Sequence, residues 1–264
     1  MKIVLEVSLG FFIGCAIGLT GVGGGVLILP ALVQILKMPP VSAVGTGMLY
    51  TVVSRIVGTL SHFTLKTIRW RRALLFLSGG IPGVLISSLK VNDLLKRHGS
   101  AATNEYLQDI MGMIALLAAG TLILQFFSVN DAERNHRIGQ SRILPVPLRE
   151  KVLTILMGSI VGGLIGATSV GGGVFIVPLF VLLFSSNTKQ AVGTSILISG
   201  FLSALGAIVY LFNGNVEMLT ALFLCLGTLG GVPLGSKLAD KIPETALIII
   251  MMIIVGFSGI FMFF

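Results

Sequence analysis

The stretch "TGVGGGVLILP" at residues 20–30 returns as "TSVGGGVFIVP" at residues 168–178. Each copy is a glycine cluster followed by a short apolar run that contains one proline. Glycine costs about 1 kcal/mol against alanine inside a helix. Three in a row therefore mark a break, and the apolar residues after them mark a restart. The two copies are 148 positions apart.

Extending the comparison shows how far the duplication reaches. Residues 10–46 and 158–194 align without a gap, and 17 of 37 positions are identical. A second anchor, "GGIPG" at 79–83, matches "GGVPL" at 230–234 after a three-residue insertion. The chain thus reads as a first repeat over residues 1–127, a linker over 128–150 and a second repeat over 151–264. The opening "MKIVLEVSLGFFIGC" loosely resembles a signal peptide. Because it is part of the repeat, it is expected to belong to the fold.

Composition sets the class. The chain has 264 residues, 55% hydrophobic and 11% charged, with a mean hydropathy of +1.02. Soluble domains carry about 25% charged residues. Residues 7–36, 73–89, 110–130, 152–188, 190–216, 218–236 and 245–264 hold no charge at all. About 20 apolar residues cross a bilayer as a helix. The expected fold is therefore an all-α polytopic membrane protein. A β-barrel is disfavoured, since its strands alternate apolar and polar residues. The net charge of +8 sits in loops, where it sets orientation, so it is no sign of nucleic-acid binding. Cys15 and Cys225 fall in apolar segments and read as small packing residues, not as a disulfide.

Each repeat divides into five apolar segments: 3–19, 26–36, 43–62, 73–89 and 107–127, then 151–167, 174–184, 191–212, 218–236 and 245–264. The second segment of each has 11 residues, which rise only about 16 Å as a helix. Segment, glycine break and short segment together suggest a broken or re-entrant hairpin. If each hairpin enters and leaves on one side, Lys and Arg divide 12 to 5 between the faces, with Arg55 left inside the membrane. Counting each hairpin as a single pass lowers the split to 10 to 7. The positive-inside rule favours the first arrangement. It makes the repeats inverted, with 65–72 and 128–150 cytoplasmic and both termini and residues 90–106 external.

A break at membrane depth is tolerated only inside protein or beside a water-filled cavity. It exposes backbone N–H groups, and the helix that restarts there directs the positive end of its dipole at the gap. Inverted repeats bring two such breaks together near the midplane, the site architecture of many secondary transporters. Donors without acids favour an anion. The candidate ligand-binding residues are Thr20, Gly23, Gly24 and Gly25 in the first break and Thr168, Ser169, Gly171, Gly172 and Gly173 in the second. Thr46 in "VGTG", and Thr194 and Ser195 in "VGTS", add hydroxyls. Hydroxyls in membrane helices also bond their own backbone, and both readings are open. Gly10, Gly14 and Gly18, with Gly158, Gly162 and Gly166, have the small-xxx-small spacing of helix contacts.

Arg55 stands mid-segment in "LYTVVSRIVGTLSHF". An arginine at the centre of a membrane helix costs about 2.5–3.5 kcal/mol on insertion scales and is a functional candidate for that reason. Thr51, Arg55, Thr59 and His62 share one helix face. The repeat mate of Arg55 is Ser203, and snorkelling of the arginine toward the loop at 63–72 is the alternative reading. No Asp or Glu lies in the middle of a segment.

The doubled "GVGGG…P" and "SVGGG…P" elements, each followed by "AVGT", resemble the TauE/SafE sulfite exporter family, also called the toluene-sulfonate uptake permease family. The resemblance spans essentially the whole chain. It implies a multi-pass transporter of a bacterial or archaeal inner membrane, moving organosulfur or sulfur-oxyanion substrates such as sulfite, sulfoacetate or other sulfonates, with export favoured over uptake. A passive anion channel is the alternative, and the two differ in whether transport is concentrative. An enzyme is a third class, but no Ser/His pair, paired aspartates, metal-ligand cluster or Walker motif supports it. The expected partners are a small anionic substrate and the lipid bilayer. No cofactor, metal or nucleic acid is expected, and an oligomer is not indicated.

Overall fold

The computed structural model describes residues 2–20, 25–64, 68–134, 148–170, 172–184 and 188–239, with a few isolated positions between 246 and 260. Every element among them is helical: α1 (Lys2–Thr20), α2 (Gly25–Pro30, continued as a π-helical turn over Ala31–Ile35), α3 (Pro40–Thr64), α4 (Trp70–His98), α5 (Ser100–Arg134), α6 (Leu148–Thr168), α7 (Gly172–Phe184), α8 (Thr188–Phe212) and α9 (Met218–Ala239). Five of these contain stretches long and apolar enough to cross a membrane: Lys2–Leu19, Trp70–Arg97, Leu148–Thr168, Gln190–Phe212 and Met218–Gly235. The chain is an all-helical, multi-pass membrane protein.

Nine of the ten expected segments fall on helices in the expected order. The tenth, 245–264, lies largely outside the described residues. Two boundaries differ. Residues 90–106, expected as an external loop, are helical except for Gly99, whose φ of +79° separates α4 from α5. Charge does not end a helix, and Asp93 even pairs with Arg97 one turn on at 2.8 Å. The expected linker 128–150 is helical at its two ends, since α5 continues to Arg134 and α6 begins at Leu148. Local chemistry explains other ends. Pro40 opens α3 at the position where its missing N–H costs nothing. Gly214 closes α8 at φ +74°, with Asn215 N–H bonded to Tyr210 O at 2.9 Å and Gly214 N–H to Leu211 O at 3.0 Å, a Schellman cap. Pro178 inside α7 cannot donate to Val174, and Thr121 of α5 donates to that carbonyl instead at 3.2 Å.

The helices pack through glycine, reciprocally between the repeats. A Cβ on Gly10 would strike the carbonyl of Leu224, and one on Gly158 that of Phe76. Gly227 abuts Val7 as Gly79 abuts Ile155, and Gly231 abuts Phe11 as Gly83 abuts Ser159. In every case both residues of one contact become the other contact on shifting by 148. So α1 packs along α9, and α6 along α4, with residue numbers rising together in each seam. This register also corrects the second anchor: residues 79 and 83 correspond to 227 and 231, and no insertion is needed. Between the seams α3 crosses its repeat mate α8 antiparallel, with Gly45 against Tyr210, Met48 against Gly206 and Arg55 against Gly200. Tyr50 and Tyr210 are fully buried there.

Candidate functional site

In the second repeat α6 ends at Thr168 and α7 starts at Gly172, so the helix break is where the glycine motif put it. Ser169 takes a left-handed backbone, φ +58°, which a side chain rarely adopts. Its N–H still reaches Ile165 O at 2.6 Å, and the break is tied down by Tyr210, whose hydroxyl donates to Gly166 O at 3.0 Å. In the first repeat α1 ends at Thr20 and α2 starts at Gly25. Gly23, Gly24 and Gly171 lie outside the described residues, as does the side chain of Thr20.

The two breaks meet. A Cβ on Gly25 would collide with the Ser169 carbonyl, and one on Gly172 with the Cβ of Ser199 on α8. Only glycine allows either approach. Between them lies a small cavity lined by Gly25, Val26, Thr51, Arg55, Ser169, Gly172, Gly173, Val174, Ser199 and Ser203. It holds about 240 Å3 between atoms but admits a water centre over only about 10 Å3, about one water molecule. The lining repeats the duplication. Thr51 and Ser199, Arg55 and Ser203, Gly25 and Gly173, and Val26 and Val174 are mates 148 apart. The first turns of α2 and α7 leave backbone N–H groups without intrahelical partners at this wall.

Arg55 is 6% exposed, and its stem lies on α8, 3.1 Å from where a Cβ on Gly200 would stand. Its Nε has no hydrogen-bond partner, nor do the buried Thr51 Oγ1 and Ser169 Oγ. Among the described residues no carboxylate pairs with Arg55, and none lines the cavity. A buried charge without a partner is costly. Among the described residues the surroundings thus present one cation with an unpaired Nε, two unpaired hydroxyls and no carboxylate.

The other hydroxyls serve the fold. Thr168 Oγ1 donates to Leu164 O at 2.8 Å and accepts from Val170 N–H at 3.3 Å. Ser195 Oγ donates to Val192 O at 2.8 Å. Thr46 Oγ1 accepts the Glu217 N–H at 2.9 Å, and its mate Thr194 accepts the Arg69 N–H at 3.0 Å. Each pins the start of a helix in the opposite repeat, and neither lines the cavity. Sequence reading passed over Thr51, Ser199 and Ser203 as site residues. Applying the 148 shift to the Thr51–Arg55 face would have found the two serines. It also passed over Glu6, near the start of α1, which is 2% exposed and accepts from Thr220 at 2.9 Å.

Among known proteins, the family model for sulfite exporter TauE/SafE matches residues 7–262. The chain is 30% identical to "Probable membrane transporter protein YjnA" of Bacillus subtilis, over 96% of this chain and 97% of that one. It is 28% identical to "Probable membrane transporter protein YunE" of the same organism, over 98% and 96%. Against "Probable membrane transporter protein MJ0441" of Methanocaldococcus jannaschii it is 27% identical, over 98% and 94%. No solved structure matches significantly. A match from residue 7 to residue 262 leaves almost nothing of the chain outside it, and this protein belongs to the TauE/SafE sulfite exporter family of membrane transporters.

Proposed function

We propose that the protein is a secondary transporter of small organosulfur or sulfur-oxyanion substrates, exporting sulfite, sulfoacetate or another sulfonate across an inner membrane. The observation that carries this reading is Arg55: buried, without an acidic partner among the described residues, and set in a cavity walled by both helix breaks. A sulfo group carries three acceptor oxygens, which suit a guanidinium, serine and threonine hydroxyls and backbone N–H groups. Membership of the sulfite exporter family suggests the sulfur chemistry and the direction. The candidate binding residues are Arg55, Thr51, Ser169, Ser199 and Ser203, with Gly25, Gly172 and Gly173. The glycines of the first cluster, Gly23 and Gly24, complete the set together with Gly171.

The mechanism we infer is alternating access between inverted repeats, 1–127 and 151–264, joined through a cytoplasmic linker. Antiparallel crossing of α3 with its repeat mate α8 supports inversion, because repeats related by an axis along the membrane normal keep equivalent helices parallel. Room for about one water is too little for a four-atom anion, which makes this conformation a closed one. A closed cavity favours a transporter over an open anion channel. The experiment is uptake of radiolabelled sulfite and sulfonates into proteoliposomes under imposed proton or sodium gradients. Saturable accumulation above equilibrium supports the reading. Unsaturable equilibration supports a channel, and no flux of any sulfur anion refutes both.

A further inference from the structure

Arg55 has a second neighbourhood. Behind it, α3 and α4 share little packing although they are consecutive in the chain, and α8 floors the gap between them. The result is a groove of about 740 Å3, within the range of about 300–1,000 Å3 typical of ligand sites. Its walls are Val52 and Ile56 of α3, Trp70, Leu74 and Leu77 of α4 and Phe201 of α8, almost wholly apolar. Ile56, Trp70, Leu74 and Phe201 are about half exposed or more, so the groove is open along an apolar face, such as a multi-pass protein turns to lipid. Arg55 lines both the groove and the polar cavity. At their junction α8 carries Gly200, where a Cβ would crowd the arginine stem at 3.1 Å.

Resting on the transport reading above, we propose that the groove is a tail subsite: the substrate is an amphiphilic organic anion whose sulfo or similar head meets Arg55 at the cavity while its apolar tail lies in the groove, reached laterally from the membrane. The argument is one of continuity. The polar cavity, closed here to about one water, could open to admit a head group but no tail, and the one described cation beside it is also the inner end of an apolar channel. A tail in the groove is removed from water, worth about 0.8 kcal/mol per methylene, or about fourfold in affinity. A bare sulfite ion gains nothing from it. A lipid acyl chain is the competing occupant, and it would fill the groove without reference to Arg55.

The test uses purified full-length protein and the series sulfite, methanesulfonate, butanesulfonate and hexanesulfonate. Affinity should rise by up to about fourfold per methylene in the wild type. Ala204→Phe and Ser78→Phe each fill the groove without touching the cavity lining. In both, the series should flatten while methanesulfonate binding stays within about twofold of wild type, a difference too small to mean a lost contact. Trp70 is the chain's only tryptophan and gives a direct readout. A 6-bromohexanesulfonate should quench its fluorescence, and hexanesulfonate should compete while hexanol does not. A flat series in the wild type overturns the tail subsite, as does a rise that survives both substitutions or quenching that hexanesulfonate cannot displace. These outcomes leave the transport reading standing if sulfite and methanesulfonate bind. If no member of the series binds, the transport reading itself fails.

Discussion

Replacing Arg55 by glutamine should move stability and affinity in opposite directions. The guanidinium is 6% exposed, its Nε lacks a partner, and no carboxylate among the described residues neutralises it. In the absence of ligand it is a buried charge held against its solvation, at a cost of about 2.5–3.5 kcal/mol, the value insertion scales assign to a membrane arginine. Glutamine keeps an N–H donor on a shorter stem and carries no charge. Unliganded Arg55→Gln should therefore be as stable as wild type or more so, with an apparent Tm equal or raised by a few degrees. Binding should suffer. A unit charge about 4 Å from an anion at an effective dielectric of about 20 contributes about 4 kcal/mol. Part of that is spent on stripping water from the anion, and a net loss of at least about 1.4 kcal/mol, tenfold in Kd, is expected. Arg55→Lys should fall between, having the charge but not the planar fork. The assay is thermal unfolding of purified protein across a titration of sulfite and methanesulfonate, since a ligand that binds the folded state raises its Tm by mass action. Equal affinity in Arg55→Gln and wild type refutes the reasoning. So does a marked loss of stability without ligand, which would make the arginine a structural strut.

Gly172→Ala should reduce binding and stability together, because its Cβ would overlap that of Ser199; Ser199→Gly in the same chain should restore stability, as read by thermal unfolding. Thr46→Val and Thr194→Val should each cost about 1 kcal/mol of stability, the net worth of the lost acceptor for Glu217 or Arg69 N–H. Their anion affinity should stay within about twofold of wild type, since neither hydroxyl lines the cavity. A reporter fused after Phe264 should be external if the repeats are inverted, and a cytoplasmic signal there would reject that topology.

Much of this arrangement is written in the repeat, and the exceptions have physical causes. The break before α7 was legible because three glycines and a restart have no other economical reading, and Arg55 because charge is rare at membrane depth. Thr46 and Thr194 were legible as repeat mates but not as fasteners. A hydroxyl's partner is a backbone N–H 171 residues away in one case and 125 in the other, and no local pattern carries that. Thr51 and Ser199 were hidden for a related reason: small hydroxyls are ordinary in membrane helices, and only their shared exposure to Arg55 distinguishes them. The "GGIPG" and "GGVPL" likeness misled by three residues, close to one helical turn, because glycine is wanted at several successive steps along one helix face. Contact register, not residue likeness, decides such an alignment.

The duplication itself explains why the charge is single. An element repeated about a two-fold relation would place two arginines at the crossing of α3 and α8, where 55 and its mate 203 line the same small cavity. Two like charges a few ångströms apart repel by as much as one would attract a ligand, about 4 kcal/mol at an effective dielectric of about 20. Arg55 with Ser203 at the mated position leaves one cation and one neutral hydroxyl at the cavity, without that repulsion. It also ties the charge to one half of the molecule. On the transport reading proposed above, an anion bound there would be held electrostatically by α3 and by hydroxyls and backbone N–H groups alone from the second repeat, so two walls that part during transport would grip it unequally. The groove beside Arg55 lies on the charged side of that asymmetry, between α3 and α4 of the first repeat with α8 beneath. On that reading, an arginine at 55 facing a serine at its repeat mate 203 would give the duplicated scaffold a single, oriented binding mode.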